Sequence, residues 1–256
     1  MSRPQNANGE AVIGPAVHGD DRRQRHLRYL QKAINTSYDT ILQHLEFDRL
    51  SIELLRVADV DTLLDRLPKI QFRPDERLPY WADLWPSSVA LATYLWEAVD
   101  LRGVEVLELG CGLGLVGIVA VRKGGVVTLT DYEADALAFT RYNLLRNSCQ
   151  QASVRHLDWH APMLSQTYGL IIASDVLYER GNFQALLHLL QSALGPEGGF
   201  ILAEPNRPVA RDFFRLLRDH GFQYQRLTAS AEVGGEHIDV SIYQGSRRRV
   251  YHDSIG

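Results

Sequence analysis

A chain of 256 residues, 45% of them hydrophobic, is long enough to bury a sizeable core in one domain. Its formal net charge of −4 argues against a nucleic-acid partner, and its two cysteines are too few for a disulfide framework. No apolar run approaches the ~20 residues that span a bilayer, so we expect no membrane partner. The low cysteine count and a polar start without a signal-peptide apolar region favour a reducing cytoplasm.

The first part of the chain predicts a small region apart from the main domain. A polar start is followed by a charged helical segment, and two strand-length apolar runs are separated by Asp48–Arg49. We assign residues 20–77 to an N-terminal accessory region. The predicted elements here are a disordered leader (1–19), a helix (Asp20–Ile34), a β-hairpin (Thr40–Phe47 and Leu50–Val57), a short helix (Asp59–Leu67) and a connector (Lys69–Pro79).

Residues 78–246 predict an α/β domain, because strand-length apolar runs alternate with helical segments. Five strand-then-helix steps and a closing strand pair give a Rossmann-like, mostly parallel sheet of seven strands, with an antiparallel last strand and helices on both faces. Residues 247–256 form a predicted tail. The predicted strands are Val104–Leu109, Val126–Thr130, Ala152–Leu157, Tyr168–Ser174, Gly199–Ala203, Phe222–Thr228 and His237–Gln244. The predicted helices are one that begins at Pro86, Leu115–Arg122, Glu133–Asn147, Asn182–Leu194 and Val209–Asp219.

A glycine-rich turn follows the first strand of this domain. It reads Glu108-x-Gly110-x-Gly112-x-Gly114, and Asp131 closes the next strand. Glycine lets a ligand approach the bare backbone, and the helix that follows offers unpaired N–H groups. An acid about 20 residues further on suits a ribose diol. The run from Gly112 onward is also formally a dinucleotide fingerprint, so the glycines alone leave two kinds of nucleotide ligand open.

Ligands of an open α/β sheet bind at the carboxyl ends of its strands. Acidic and aromatic residues stand at these positions here, and clustered acids suit a cationic nucleoside better than a pyrophosphate, which they would repel. We expect Asp158 and Trp159 to hydrogen-bond and stack on an adenine, and Trp85 to form part of a wall or lid. The residues at the strand ends are Glu108, Asp131, Tyr132, Asp158, Trp159, Ser174, Asp175 and Glu204.

Two motifs carry a resemblance to a known family. The acid and glycine triple resemble motif I of the seven-strand S-adenosylmethionine-dependent methyltransferases. Asp175-x-x-Tyr178 resembles the (D/E)-x-x-(Y/F) element of their protein-lysine branch, methyltransferase family 16. The segments LPYWADLWPSS and TDY are similar to the same family. The resemblance covers about residues 78–205 and leaves out the N-terminal hairpin.

The resemblance implies S-adenosylmethionine as the cofactor and a lysine-containing protein as the partner. It implies Glu108 near the methionine part of the cofactor and Asp131 at the ribose, with Asp175 and Tyr178 as catalytic residues. A carboxylate also favours a charged ammonium, so Asp175 cannot alone deprotonate the lysine amine that it orients. The predicted cofactor-binding residues are Trp85, Glu108, Gly110, Gly112, Gly114, Asp131, Tyr132, Asp158, Trp159 and Ser174.

Other functions stay open beside this one. One alternative is an enzyme of the same fold that methylates nitrogen or oxygen atoms of small molecules. Two others, an NAD-linked oxidoreductase and a cofactor-binding module without turnover, would use a similar glycine-rich loop. The oxidoreductase is disfavoured because no Tyr-x-x-x-Lys pair is visible. No metal is predicted, since two cysteines make no zinc cluster and His156 and His160 are interpreted as strand-end residues. The acceptor's identity and the oligomeric state are not predicted.

Overall fold

The computed structural model describes residues 17–65 and 79–247 of the chain. Its N-terminal part comprises helix α1 (Val17–Ile34), the antiparallel hairpin of β1 (Thr40–Phe47) and β2 (Leu50–Val57), and helix α2 (Val60–Asp65). The hairpin lies where the sequence predicts it. Helix α1 begins at Val17, which corrects the predicted leader at 17–19: helical hydrogen bonding continues upstream of the amphipathic stretch. The rest of the leader, the end of the Asp59–Leu67 helix and nearly all of the connector lie outside the described residues.

Helices and strands then alternate as predicted. The helices are α3 (Pro86–Ala98), α4 (Leu115–Arg122), α5 (Ala134–Arg146), α6 (Phe183–Ala193) and α7 (Ala210–Asp219). The strands are β3 (Glu105–Leu109), β4 (Val126–Asp131), β5 (Ser153–His156), β6 (Tyr168–Ser174), β7 (Leu194–Glu204), β8 (Phe222–Val233) and β9 (Glu236–Arg247). They form a seven-stranded sheet in the order β5-β4-β3-β6-β7-β9-β8, in which β9 is antiparallel to both neighbours and the other pairs are parallel. The predicted fold class is confirmed.

Alternating side chains divide the core into two layers, one on each face of the sheet. In β3, Val106 belongs to the layer that packs with α3, α4 and α5, whereas Leu107 and Leu109 belong to the layer of α6 and α7. Strands β6 and β7 alternate in the same way, with Ile172 in the first layer and Ile171 in the second. Because helices cover both faces, polar groups that bind a ligand collect at the strand ends.

Strand β7 begins earlier than predicted. The pair Gly195–Pro196 is expected to end the preceding helix, yet Leu194 already pairs with Tyr168, and a register shift follows before regular pairing resumes. A bulge tolerates proline because its displaced residues need not donate to the ladder. Strands β8 and β9 also run past their predicted ends to a turn at Gly234 and Gly235, whose φ angles are 62° and 82°. Glycine suits such a two-residue hairpin turn.

The N-terminal hairpin is joined to the main domain through Asn143, a fully buried residue of α5. Its Oδ1 accepts a hydrogen bond from the Leu55 N–H at 2.7 Å, and its Nδ2 donates to the Leu55 carbonyl at 3.0 Å and to the Leu113 carbonyl at 2.9 Å. One amide therefore connects β2 to the loop after β3. Asn147 donates in the same manner to the Glu53 carbonyl, at 2.8 Å.

Candidate active site

A cavity opens at the carboxyl ends of β3, β4 and β6, where the sequence predicts a ligand site. It is lined by ten of the twelve predicted site residues: Trp85, Gly110, Gly112, Asp131, Tyr132, Asp158, Trp159, Ser174, Asp175 and Tyr178. The segment from Tyr80 to Ser88 closes one side of the cavity. The strand ends predicted from sequence thus meet in one place.

The glycine loop presents bare backbone to this cavity. Gly110 has a φ of 65°, and a Cβ at this position would lie 3.0 Å from Val176 and 3.5 Å from the Trp159 ring. Gly112 has a φ of 51°, and a Cβ there would lie 3.3 Å from the Trp81 carbonyl oxygen. Both positions require glycine for backbone conformation and for space. The loop is therefore shaped by close packing around the cavity as well as by the ligand it faces.

Asp131 connects the loop to the end of β4. Its Oδ2 accepts a hydrogen bond from the Gly112 N–H at 2.9 Å, and its Oδ1 accepts one from the Glu133 N–H at 3.0 Å. Burial raises the pKa of Asp131, and the backbone N–H donors of Glu133, Gly112 and Tyr132 oppose that rise. Each carboxylate oxygen keeps acceptor capacity, so Asp131 suits a pair of ribose hydroxyls.

Two predicted residues, Glu108 and Gly114, do not line the cavity. Side chains alternate along β3, so Glu108 faces α4 rather than the ligand, and a Cβ added to Gly117 would meet its carboxylate. Glu108 is 2% exposed and its Oε2 has no hydrogen-bond partner among the described residues. Burial, followed by the charge of Asp131, raises its pKa well above the ordinary value. Gly114 faces Thr140 behind the loop.

The side of the cavity predicted to hold adenine is built from the segments after β4 and β5. Trp159 packs against Gly110, and its indole N–H is buried with no partner among the described residues. Asp158 accepts a hydrogen bond from the His160 N–H at 2.9 Å. The Tyr132 ring lies 5.2 Å from that of His156. This side therefore offers an aromatic surface with acceptors at its edge.

The opposite side carries an aromatic cluster. The Tyr80 ring lies 5.3 Å from the Tyr178 ring and 6.1 Å from the Trp85 ring, and both pairs meet edge to face. Trp85 donates from its indole nitrogen to the Tyr80 carbonyl at 2.6 Å. Sequence reasoning missed Tyr80, although it lies within the LPYW segment that resembles the family. These rings form a partly exposed rim beside Asp175.

Asp175 has a φ of 56°, in the left-handed region that non-glycine residues rarely adopt. Its Oδ1 accepts hydrogen bonds from Arg207 Nε at 3.1 Å and Nη2 at 2.6 Å, while Oδ2 is buried without a partner among the described residues. Burial raises the pKa of Asp175, and the Arg207 guanidinium opposes that rise. No sequence pattern points to Arg207, because it is 32 positions from Asp175 in the chain.

The cavity has a strongly acidic lining, with no Lys or Arg among the described residues that line it. A sulfonium ion with an amine and ribose hydroxyls fits this set of acceptors, whereas the lining carboxylates would repel a pyrophosphate. Glu204, also expected at a strand end, lies behind this lining and accepts the Arg207 backbone N–H at 2.8 Å. The acidic lining residues are Asp83, Asp131, Glu133, Asp158, Asp175 and Glu179.

The described parts of the chain hold no group of three or more His, Cys, Asp or Glu side chains able to bind an ion. Within the same ranges, no helix is long and apolar enough to cross a bilayer. Cys111 and Cys149 are both free and buried.

The sheet order, glycine loop and acidic cavity define an S-adenosylmethionine-dependent methyltransferase. The profile of a family described as lysine methyltransferase matches residues 68–220, and the chain belongs to that family. It is 33% identical to mouse EEF1A lysine methyltransferase 3 over 181 residues, covering 68% of this chain and 75% of that relative. It is 34% identical to mouse protein N-lysine methyltransferase METTL21A over 193 residues, covering 72% of this chain and 86% of the relative.

Comparison with solved structures agrees on the fold. The glycopeptide N-methyltransferase MtfA in complex with S-adenosylhomocysteine superposes with a TM-score of 0.54 at 14% identity, covering 65% of this chain and 92% of that one. The expected cofactor, S-adenosylmethionine, is confirmed by membership of the family. The predicted enzyme class is confirmed with it.

Proposed function

We propose that this methyltransferase transfers a methyl group to the side-chain amine of a lysine in a protein. The observation that carries the proposal is the aromatic rim of Tyr80, Trp85 and Tyr178 beside the buried carboxylate of Asp175. Aromatic faces attract an alkyl ammonium, and their edges pack well against the methylene stem of a lysine. The names of both mouse relatives support a lysine acceptor.

The cofactor side of the proposal assigns each residue a distinct task. S-adenosylmethionine supplies an electrophilic methyl group on a positively charged sulfur. Asp131 accepts hydrogen bonds from the ribose, Asp158 and Trp159 hold the adenine, and the backbone at Gly110 and Gly112 lies along the ligand. The remaining residues proposed to bind it are Trp85, Tyr132 and Ser174. Glu108 and Gly114 act from behind the loop: the buried Glu108 carboxyl becomes charged when a cationic ligand favours its ionised form, and Gly114 contributes backbone shape.

The acceptor side needs alignment and a neutral nitrogen, because the reaction is a direct displacement. Asp175 and Tyr178 are the proposed catalytic residues, placed to hydrogen-bond the incoming amine and aim its lone pair. A free lysine has a pKa of about 10.4, so it arrives mainly as an ammonium at neutral pH. The acids of the cavity attract that ammonium, and the rim excludes water from its stem. The described structure supports a long, flexible, cationic acceptor better than a planar neutral one.

The test is transfer of tritiated methyl from S-adenosylmethionine into a lysate of cells that lack this protein. Wild type should label one or a few protein bands, and hydrolysis should release the label as methyllysine. Asp175→Asn should label them at least about tenfold less, whereas the matched surface change Asp219→Asn, on α7, should label them equally. Label only in the small-molecule fraction would favour the small-molecule alternative, and label in another amino acid would exclude lysine.

A reducing compartment such as the cytoplasm is part of the same proposal. Its support is that Cys111 and Cys149 are free thiols. Cell fractionation with an antibody against the native protein tests it, and recovery in an oxidising compartment would contradict it.

A further inference from the structure

Arg207 donates hydrogen bonds to only one of the two oxygens of the proposed catalytic carboxylate. Both of its bonding nitrogens reach the same oxygen of Asp175, Oδ1, at 3.1 Å and 2.6 Å. The other oxygen, Oδ2, has no partner among the described residues, although Asp175 is a lining residue of the cavity. The Asp175 side chain is 7% exposed and that of Arg207 is 36% exposed. A buried carboxylate oxygen without a hydrogen-bond donor costs free energy. A ligand N–H that donates to Oδ2 would remove that cost.

The loop after β7 holds Arg207 in this position. Its backbone N–H donates to Glu204 at 2.8 Å, and the neighbouring Asn206 has a φ of 63°. The Asn206 side chain accepts hydrogen bonds from Ser241 and Arg226, each at 2.6 Å. Two residues on β8 and β9 therefore fix the loop that carries Arg207. This amount of bonding is more than an incidental surface ion pair requires.

The groups around Asp175 determine the charge that an acceptor amine meets. Glu204 interacts with Asp175 through its charge, Arg226 faces Glu204, and Tyr178 and Glu179 follow Asp175 on its own loop. A carboxylate that stood alone would stabilise the ammonium form of a lysine, and an ammonium has no lone pair to donate. The Arg207 guanidinium cancels the charge of Asp175 while leaving Oδ2 able to accept a hydrogen bond.

We propose that Arg207 is a positioning residue that neutralises Asp175 and orients it, so that Oδ2 accepts an N–H from the acceptor amine in its neutral form instead of retaining it as an ammonium. The inference rests on the proposed function. The amine first loses a proton to solvent. Its lone pair then forms a bond to the methyl carbon as the carbon–sulfur bond breaks, and the bonding pair stays on sulfur. The methylated nitrogen carries the positive charge until it releases its second proton.

The experiment compares wild type with Arg207→Met, which removes the charge, and Arg207→Lys, which keeps it. Methyl transfer into lysine residues, in the lysate of cells that lack this protein, is measured from pH 6.5 to 9.5. Arg207→Met should label about tenfold less at pH 7, because a rise of one unit in the amine pKa lowers the neutral fraction tenfold. Its labelling should recover toward the wild-type level at pH 9.5. Arg207→Lys should follow the wild-type profile more closely.

A second measurement does not depend on turnover. The Asp carboxyl carbons are followed by ¹³C NMR against pH, with the Asp175 signal assigned through Asp175→Asn. In Arg207→Met the Asp175 carboxyl should take up its proton at a higher pH than in wild type, since the guanidinium that opposes protonation is gone. Binding of S-adenosylhomocysteine, measured by calorimetry, should be unchanged within about twofold, because Arg207 does not line the cavity.

The outcomes separate the two proposals. If wild type labels no lysine at any pH, the proposed function fails and this inference fails with it. If wild type labels lysine but Arg207→Met has the same pH profile, or loses activity equally at all pH values, only the role of Arg207 is overturned. An unchanged Asp175 titration in Arg207→Met would likewise overturn it.

Discussion

The carboxylate of Asp131 accepts a hydrogen bond from the backbone N–H of Gly112, across 19 positions of sequence and 2.9 Å of space. This bond fixes the end of β4 against the glycine loop that follows β3. The residue proposed to bind the ribose therefore also shapes the backbone that lies along the rest of the ligand. Substitutions at the site must be interpreted with both roles in mind.

Asp131→Ala should weaken binding of S-adenosylhomocysteine by about 1–3 kcal/mol, the cost of leaving hydroxyl groups without their acceptor. The Gly112 N–H loses its partner at the same time, so a drop in the melting temperature of the free protein should accompany the change. Titration calorimetry and thermal unfolding measure the two effects separately. Asp219→Ala, an exposed acid on α7, is the matched control. Unchanged affinity in Asp131→Ala would mean that the ribose lies elsewhere.

Affinity for cationic ligands should increase with pH. The pKa values of Glu108 and Asp131 are raised by burial, so each carboxyl binds its proton more tightly in the empty protein than in the unfolded chain. A cation in the cavity favours the charged forms, and its binding should release protons. Sinefungin carries an amine in place of the sulfonium and should bind more tightly as pH rises through these pKa values.

S-adenosylhomocysteine, whose sulfur is neutral, serves as the comparison for this effect and should show a weaker dependence on pH. Calorimetry in buffers of different ionisation enthalpy counts the released protons. Equal pH dependence for the two ligands would show that the carboxyls do not sense the charge at the sulfur position.

Gly117→Ala should destabilise the protein. A methyl group at this position in α4 would meet the side chains of Leu129 and Glu108, because the helix packs closely on the sheet there. Overpacking of this kind costs about 1–3 kcal/mol. Gly181→Ala, at a glycine with nothing within 4 Å of the added Cβ, should leave the free energy of unfolding almost unchanged. Urea denaturation of both variants checks the contrast, and equal stabilities would contradict it.

Asn143→Leu should separate the N-terminal hairpin from the main domain. The change removes three hydrogen bonds to buried backbone groups of Leu55 and Leu113, and each group left unpaired costs about 1–3 kcal/mol. Hydrogen exchange should show the Leu55 N–H among the amides that lose most protection. Gln184→Leu makes the same kind of substitution on the exposed side of α6 and should have little effect. Retained protection at Leu55 would show that packing and the Asn147 hydrogen bonds to Glu53 hold the hairpin without Asn143.

The arrangement of the sheet could be predicted from sequence because its signals are local. Strand Tyr168–Ser174 and helix Leu115–Arg122 have the predicted bounds, since apolar runs and glycines mark their ends. Most of the predicted site residues then lie at one edge of the sheet, because ligands of such sheets bind at the carboxyl ends of the strands. Glu108 departs from the expected position because the alternation along β3 turns it away from the ligand, although the acid itself belongs to the motif.

The remaining features depend on contacts between distant parts of the chain. No pattern around Asn143 or Arg207 distinguishes it from an ordinary surface residue, and its role becomes visible only when its partner is next to it. The start of β7 at Leu194 was missed for a related reason: a bulge opposite Tyr168 accommodates a proline that local rules assign to a stop. In each of these three cases the structure depends on a contact between residues that are distant in the sequence.

Three of the four tryptophans, Trp81, Trp85 and Trp159, line the cavity, while Trp96 lies on α3 beside Lys123. The protein consequently contains its own optical reporter. A ligand that fills the cavity changes the environment of three of the four tryptophans. Ligand binding to the unlabelled protein can therefore be followed by tryptophan fluorescence. Trp96→Phe would remove the remote contribution to that signal and leave the three indoles at the cavity as its source.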